Sequence, residues 1–283
     1  MKINRIKNTV LRFAAFVAIL SLSMAGCKKD KEEEEPQPDP VPAEIQKTTY
    51  AMKVKDVVGV SGTITIAEKS PGSSESVVSI HLDGASQGMH PAHIHMNTAL
   101  ETGAILYTLN DVDTLGNSST TLVVSYATLS NINGYVNVHL SDLQIGTIVA
   151  QADIGGNALT GANKSYLILA DSSSGITGNV RFEKRKNGTS LVTVDMSSGG
   201  TLPTGFYPTH INLGSVATIG NPVNRRSLNP VDGITRKSIT NVRTLNDGSA
   251  ISYENWLVYD GFITVYDAAN ISNILALGNI GSN

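Results

Sequence analysis

The chain has 283 residues, with 21 basic and 24 acidic side chains and a formal net charge of −3. This acidic balance argues against nucleic acid as a partner, because phosphate backbones are bound by clustered lysine and arginine. The sequence contains one cysteine, so no intrachain disulfide can form. The fold must therefore be stabilised by burial of hydrophobic side chains. Hydrophobic residues make up 41% of the chain.

Residues 1–26 have the features of a secretory signal peptide. Four basic residues precede an apolar run over 13–20, and small residues follow. The run is too short to span a membrane. Ala25-Gly26-Cys27 resembles the bacterial lipoprotein box, in which the cysteine is acylated, for example with palmitate, and becomes the mature N-terminus. The alternative is an ordinary signal peptide with a chance cysteine; we expect Cys27 to be lipidated and to anchor the protein to the membrane.

Residues 27–46 are charged and rich in proline, and they predict a disordered tether behind the lipidated cysteine. Lys28 after the cysteine resembles the outer-membrane sorting rule of Gram-negative lipoproteins. The Lys/Asp/Glu cluster that follows resembles a surface-export signal, or it is a solvated spacer. We expect an outer-membrane location, on the periplasmic or the cell-surface side. Without residues 1–26 the chain keeps 17 basic and 24 acidic residues, a balance of −7.

The rest of the chain is a tandem repeat with an initial shift of 116 residues between Tyr50 and Tyr166. Gly88-x-x-Pro91-x-His93-Ile94 aligns with Gly205-x-x-Pro208-x-His210-Ile211, and the later matches keep the same order. We predict one domain over 47–155, a linker over 156–162 and a divergent second domain over 163–283.

Alternating apolar and polar residues predict β-strands throughout both copies, with turn-forming clusters between them. Residues 134–139, Gly-Tyr-Val-Asn-Val-His, show this alternation, and Asn187-Gly188 predicts a tight hairpin. The fold class is predicted to be all-β: two tandem Greek-key β-sandwich domains of about seven or eight strands each. Tyr253, Trp256 and Tyr259 cluster in the second copy, where they form part of the core or contact a glycan or protein.

The stretch from Met89 to His95 holds three of the six histidines. If it is a strand, His93 and His95 lie on one face and Ile94 points to the core. His139 is predicted to face outward like them, and a loop over 96–110 could cover the group. These three histidines, with His90 as a fourth ligand, could bind copper or zinc; alternatively they are scaffold histidines bonded to loop backbone. The second copy retains only His210, at the position of His93.

Together the two histidine motifs and the closing strand to Gly155 resemble a CHRD domain, a module described in chordin and found in exported bacterial proteins. The second copy resembles that family more weakly. The resemblance implies a β-sandwich similar to that of Cu/Zn superoxide dismutases, which also carry a His-x-His strand and a later Val-x-His strand. It does not by itself imply an activity.

Superoxide dismutases of this type also need an arginine that guides superoxide, a disulfide and further histidine ligands. Dismutase activity is not expected here, because the first copy lacks arginine, the chain lacks a cysteine pair, and no further histidine cluster follows His95. We therefore expect a non-enzymatic binding or structural lipoprotein, attached to the membrane by its lipid. Its partner would be an extracellular protein or matrix component. The competing interpretation is a protein that binds copper or zinc in its first domain.

Overall fold

A computed structural model of the chain describes residues 43–171, 174–220 and 222–283. The predicted signal peptide, the lipidation site Cys27 and the tether up to residue 42 lie outside the described residues. Residues 43–46 are exposed and form no regular secondary structure. No helix among the described residues is both long enough and apolar enough to cross a membrane.

The first copy forms a sheet of eight strands within the described residues. Their bounds are β1 Lys47–Val54, β2 Ser61–Glu68, β3 Ser76–Asp83, β4 His90–Met96, β5 Ile105–Val112, β6 Asn117–Leu122, β7 Asn133–His139 and β8 Ile148–Gly155. The spatial order of the strands is β5-β4-β7-β8-β1-β2-β3-β6. The edge strands β5 and β6 are linked by side chains, since Asn110 donates from its backbone to Thr120 Oγ1 and from its amide to the Ser119 carbonyl.

The second copy forms another eight-stranded sheet, which closes on itself. Its strands are β9 Leu159–Ala170, β10 Thr177–Arg185, β11 Ser190–Ser198, β12 Phe206–Leu213, β13 Asn224–Asp232, β14 Lys237–Val242, β15 Asp260–Tyr266 and β16 Ile274–Gly281. Their order, β13-β12-β15-β16-β9-β10-β11-β14, repeats that of the first sheet strand for strand. Both sheets are antiparallel throughout. The described residues form an all-β fold, as the sequence predicts.

Strand β9 begins at Leu159, inside the segment predicted as a linker. Leu159 pairs with Arg185, so only 156–158 form a turn between the two sheets. The predicted hairpin at Asn187-Gly188 is confirmed: it connects β10 to β11, and Gly188 has a φ of +82°. That left-handed backbone angle favours glycine, because other residues meet a steric penalty there.

Two short α-helices interrupt the strands at equivalent places in the two copies, α1 at Tyr126–Leu129 and α2 at Tyr253–Leu257. Short 3-10 helices lie at Asp142–Gln144 and Val216–Thr218. Helix α2 begins with a capping box in which Ser252 and Asn255 bond to each other's backbone N–H groups. The sequence shows no helical period in these segments because each is about one turn long.

Each sheet surrounds a core formed by alternate residues of its strands. In the first copy Ile94, Val136 and Val138 are fully buried. In the second copy Trp256 of α2 is fully buried against Phe182, with ring centroids 5.4 Å apart. Tyr253 is buried as well, which confirms core packing for this aromatic group.

Replacing Trp256 with alanine should destabilise the second copy by about 3–5 kcal/mol, because a large cavity would form in its core. Urea unfolding followed by far-UV circular dichroism measures this. Tryptophan fluorescence cannot be used, because the substitution removes the one tryptophan in the chain. Leu143→Ala is the control, since Leu143 is 98% exposed and its loss should change stability by less than about 0.5 kcal/mol. Equal unfolding midpoints for the two variants would contradict this assignment of the core.

Candidate functional site

Three of the four histidines predicted as ligands converge on the outer face of the first sheet. His93 and His95 come from β4 and His139 from the neighbouring strand β7. One nitrogen of each ring lies within 4.8 Å of the others, and the described residues contain no second group of this kind. His93 Nδ1 lies 3.2 Å from His139 Nε2. The strand alternation predicted from the sequence therefore places His93, His95 and His139 on one face, as expected.

His90, predicted as a fourth ligand, does not belong to the cluster, and this part of the prediction is wrong. Its ring is fully buried, with Nδ1 2.9 Å from the Leu140 carbonyl and Nε2 2.9 Å from the Ser86 carbonyl. Both ring nitrogens thus lie against backbone carbonyls and not against the other histidines. His90 lies three residues before His93, so the alternation of β4 places it on the core side with Ile94 and not on the face of His93 and His95.

The cluster is more buried than an outward-facing position implies. His95 is 8% exposed and His139 6% exposed, while His93 remains partly accessible. Two loops cover the face. The first is loop 97–104, shorter than the predicted loop over 96–110 because β5 begins at Ile105. The second runs from residue 140 to 147 and includes the 3-10 helix.

Each loop supplies one carbonyl that orients a histidine. His95 Nδ1 lies 3.0 Å from the Gly103 carbonyl, and His139 Nδ1 lies 2.5 Å from the Ile145 carbonyl. A carbonyl oxygen only accepts, so each Nδ1 carries the proton and each Nε2 of the neutral ring keeps its lone pair. A Cβ on Gly103 would lie 2.3 Å from the Met96 carbonyl, so this close approach of the loop requires glycine.

His95 Nε2 is the most informative atom of the site. It is buried and has no hydrogen-bond partner among the described residues. Tyr135 stacks on the His95 ring at 4.9 Å and holds it in place. A buried nitrogen without a partner costs about 1–3 kcal/mol, and native structures seldom accept this without a reason.

Burial also lowers the pKa of two of the histidines. For His93 the largest cause is desolvation, followed by repulsion from His95. For His139 desolvation again dominates, partly opposed by the hydrogen bond to the Ile145 carbonyl. Both rings therefore stay neutral to lower pH than a free histidine, which keeps their lone pairs available for a ligand near neutral pH.

The second copy shows what the same positions become without a cluster. His210, Asn212 and Tyr266 replace His93, His95 and His139. The Asn212 amide donates to Thr264 Oγ1, and the His210 ring lies 5.2 Å from the Tyr266 ring. Burial lowers the pKa of His210 as it does that of His93. The His93 position is thus a common feature of the framework, and the other two positions distinguish the first copy.

The second copy instead holds the loop that covers the histidines. Asn241 of β14 donates to Thr98 Oγ1, and Arg243 bonds to Glu101. Asp153 Oδ1 accepts from the Ala99 backbone at 2.8 Å, while its other oxygen accepts from the buried Arg185. Loop 97–104 is therefore fixed from both copies.

The backbone of this loop is itself strained. Asn97 and Thr102 have φ angles of +66° and +60°, a region that non-glycine residues rarely adopt. The Asn97 side chain donates to the Thr102 carbonyl at 3.0 Å and links the two strained positions. Such strain persists only where surrounding contacts hold it, and the contacts from the second copy do so here.

Sequence reasoning did not identify Tyr135, Gly103, Ile145 or Asn241 as parts of this site. Tyr135 could have been found, because it lies two residues before Asn137 and four before His139 on the same face of β7. The two carbonyls and Asn241 carry no signal in the sequence. They depend on how the loops and the second sheet pack.

No family model, curated protein or solved structure matches the chain.

Asn241→Ala should loosen loop 97–104, because it leaves Thr98 and the buried Arg185 each without one partner. We expect amide hydrogen exchange over residues 97–104 to accelerate about tenfold or more, which corresponds to a loss of about 1–3 kcal/mol of local stability. Hydrogen-exchange mass spectrometry measures this. Lys69→Ala, which removes a surface ion pair with Glu75 elsewhere, is the control and should leave the loop unchanged.

Proposed function

We propose that the first domain binds one copper or zinc ion through His93, His95 and His139. The observation that carries this proposal is the buried Nε2 of His95, which has no partner in the described part of the chain yet lies beside two other imidazoles. A metal ion would satisfy this nitrogen. His90 is not one of the proposed ligands, because its ring lies against the carbonyls of Leu140 and Ser86.

The donor set fits such an ion. Three neutral imidazoles with one open position suit zinc or copper. Two nitrogens bound to one tetrahedral ion at about 2.0–2.1 Å lie about 3.3 Å apart, and His93 Nδ1 and His139 Nε2 are 3.2 Å apart. Ligating histidines usually donate their second nitrogen to a carbonyl or carboxylate, as His95 and His139 do.

We further propose that the protein is a lipoprotein of the bacterial outer membrane with two CHRD-like Greek-key β-sandwich domains. The identical strand order of the two sheets supports this duplication. The proposed role is non-enzymatic: the anchored protein binds the ion, and its exposed surfaces contact an extracellular protein or matrix component. The proposal of lipidation depends on the sequence around Cys27 alone.

Zn²⁺ or Cu²⁺ should bind to the metal-free Cys27→Ser chain with one site per molecule, measured by calorimetry and by elemental mass spectrometry after dialysis. At a free metal concentration of 100 times Kd, the folded state should gain about 2.7 kcal/mol and melt at a higher temperature. His95→Ala and His139→Ala should each abolish binding, because each removes one of three ligands.

His81→Ala is the matched control for these variants. His81 lies on the exposed surface beside Asn117 and Asp83 and takes no part in the cluster. The His81→Ala variant should bind metal as the parent chain does. Metal content at background level after loading, together with an unchanged melting temperature, would contradict the proposed site.

Acylation of Cys27 predicts that the parent chain fractionates with membranes when it is produced in a Gram-negative host. Cys27→Ser should move the protein to the soluble fraction, because the anchor would be lost. Immunoblotting of membrane and soluble fractions measures this, and Cys27 is the only thiol in the chain. A serine variant that still fractionates with membranes would rule out the lipid as the anchor.

A further inference from the structure

A second feature of the molecule is a cavity of about 710 Å³ between the two sheets. Its floor is the outer face of β1, β7 and β8, and one wall is loop 97–104. The second copy supplies the opposite wall, through β9, β10, β11 and β14. A volume of this size is typical of sites for small organic molecules.

The pairing of the strands sets a polar row across the floor. Asn137 pairs with Gln151, and Gln151 pairs with Lys53, so the three side chains lie side by side on one face. At about 4.8 Å per strand, Asn137 and Lys53 are about 10 Å apart. On the other side Asn137 pairs with His93, which places the end of the row next to the histidine cluster.

The two ends of this row carry different chemistry. Asn137 is 8% exposed, and its buried amide oxygen has no partner among the described residues. At the other end Lys53 and the nearby Lys55 are exposed, and neither forms an ion pair within the part of the chain that the structure describes. The one acidic residue that lines the cavity, Asp153, is already paired with Arg185.

The walls between these ends are largely apolar. Leu100 projects from the loop, Leu159 from β9, Leu191 from β11 and Ile239 from β14. Leu100, Leu159 and Ile239 are more than one third exposed although they face a cavity. Apolar side chains around a polar floor favour a ligand that has an apolar body and few hydrogen-bonding groups.

We propose that this cavity binds a small organic carboxylate with an apolar body and one hydrogen-bonding group. The carboxylate lies at Lys53 and Lys55, the apolar body contacts the leucines and Ile239, and the hydrogen-bonding group pairs with the Asn137 amide. A carboxylate is favoured because two lysines, Lys53 and Lys55, outnumber the one carboxylate beside them, Asp56, which already accepts from the backbone of Ile148. The site does not require the metal proposed for the histidines.

N-acetyl-L-phenylalanine is a suitable probe, because it combines a carboxylate, an amide and an apolar ring. Its neutral analogue N-acetyl-L-phenylalaninamide lacks the charge, and acetate lacks the body. Titration of the metal-free Cys27→Ser chain, followed by calorimetry or ligand-observed NMR, should give a Kd of about 0.5 mM for the acid, as expected for about 15 non-hydrogen atoms. The amide analogue should bind about tenfold more weakly, and acetate should not bind measurably.

Two variants locate the site. Lys53→Ser with Lys55→Ser should weaken the acid about tenfold, to the affinity of the amide analogue, and high salt should shrink the difference. Asn137→Leu should weaken both ligands without lowering the melting temperature, because it removes an unpartnered amide from a buried position. Lys47→Ser, on the same strand β1 but outside the cavity, is the matched control and should bind as the parent chain does.

The proposal is overturned if the acid does not bind at about 10 mM, if acid and amide analogue bind equally, or if the lysine variant matches the control. Because every titration uses metal-free protein, failure here leaves the histidine site untouched. Loss of metal binding in His95→Ala would likewise leave carboxylate binding intact, since His95 does not line the cavity.

Discussion

The arrangement of the two copies depends on the bonds that the buried guanidinium of Arg185 forms. It lies at the end of β10 and bonds to Asp153 of the first sheet, to the Asn157 carbonyl of the connecting turn and to Asn241 of β14. Leaving such a charge buried without partners would cost several kcal/mol, so the sheets pack where these acceptors meet. Asp153 and Asn241 in turn hold Ala99 and Thr98, and the same loop presents the Gly103 carbonyl to His95. A charge in the second copy thus helps to orient a histidine in the first.

The two copies share a framework and differ on its outer face. Interior positions such as Ile94 and Ile211 are fully buried apolar residues in both, because the core of each sheet requires them. Outer-face positions do not contribute to the core, so they can change without altering the strand order. His95 and Asn212 occupy the same place, and each keeps one buried atom without a partner among the described residues. They differ in their neighbours: the Asn212 amide bonds to Thr264, whereas His95 lies beside two other imidazoles. The first copy thus carries the candidate site, and the second copy holds the loop that covers it.

The alternation of side chains made much of this arrangement predictable. His93, His95 and His139 were expected on one face, and the register of β4 with β7 places them there. The prediction failed at His90, because an odd number of residues separates it from His93 and His95 and the two-residue period therefore places it on the core side with Ile94. It also missed how deeply the cluster is buried. Gly103 and Ile145 act through their carbonyl groups, and every residue type has the same carbonyl, so no sequence pattern marks them.

The sequence by itself determined the all-β class, the duplication and the face on which each strand residue lies. These follow from local rules, since the period of two and the turn-forming residues act over a few neighbours along the chain. The tertiary structure alone decided which loop covers the histidines, which atom of His95 remains without a partner, and how the two sheets enclose a cavity beside them. Those features depend on contacts such as Asn241 with Thr98, which are 143 residues apart and are set by the packing of one sheet against the other.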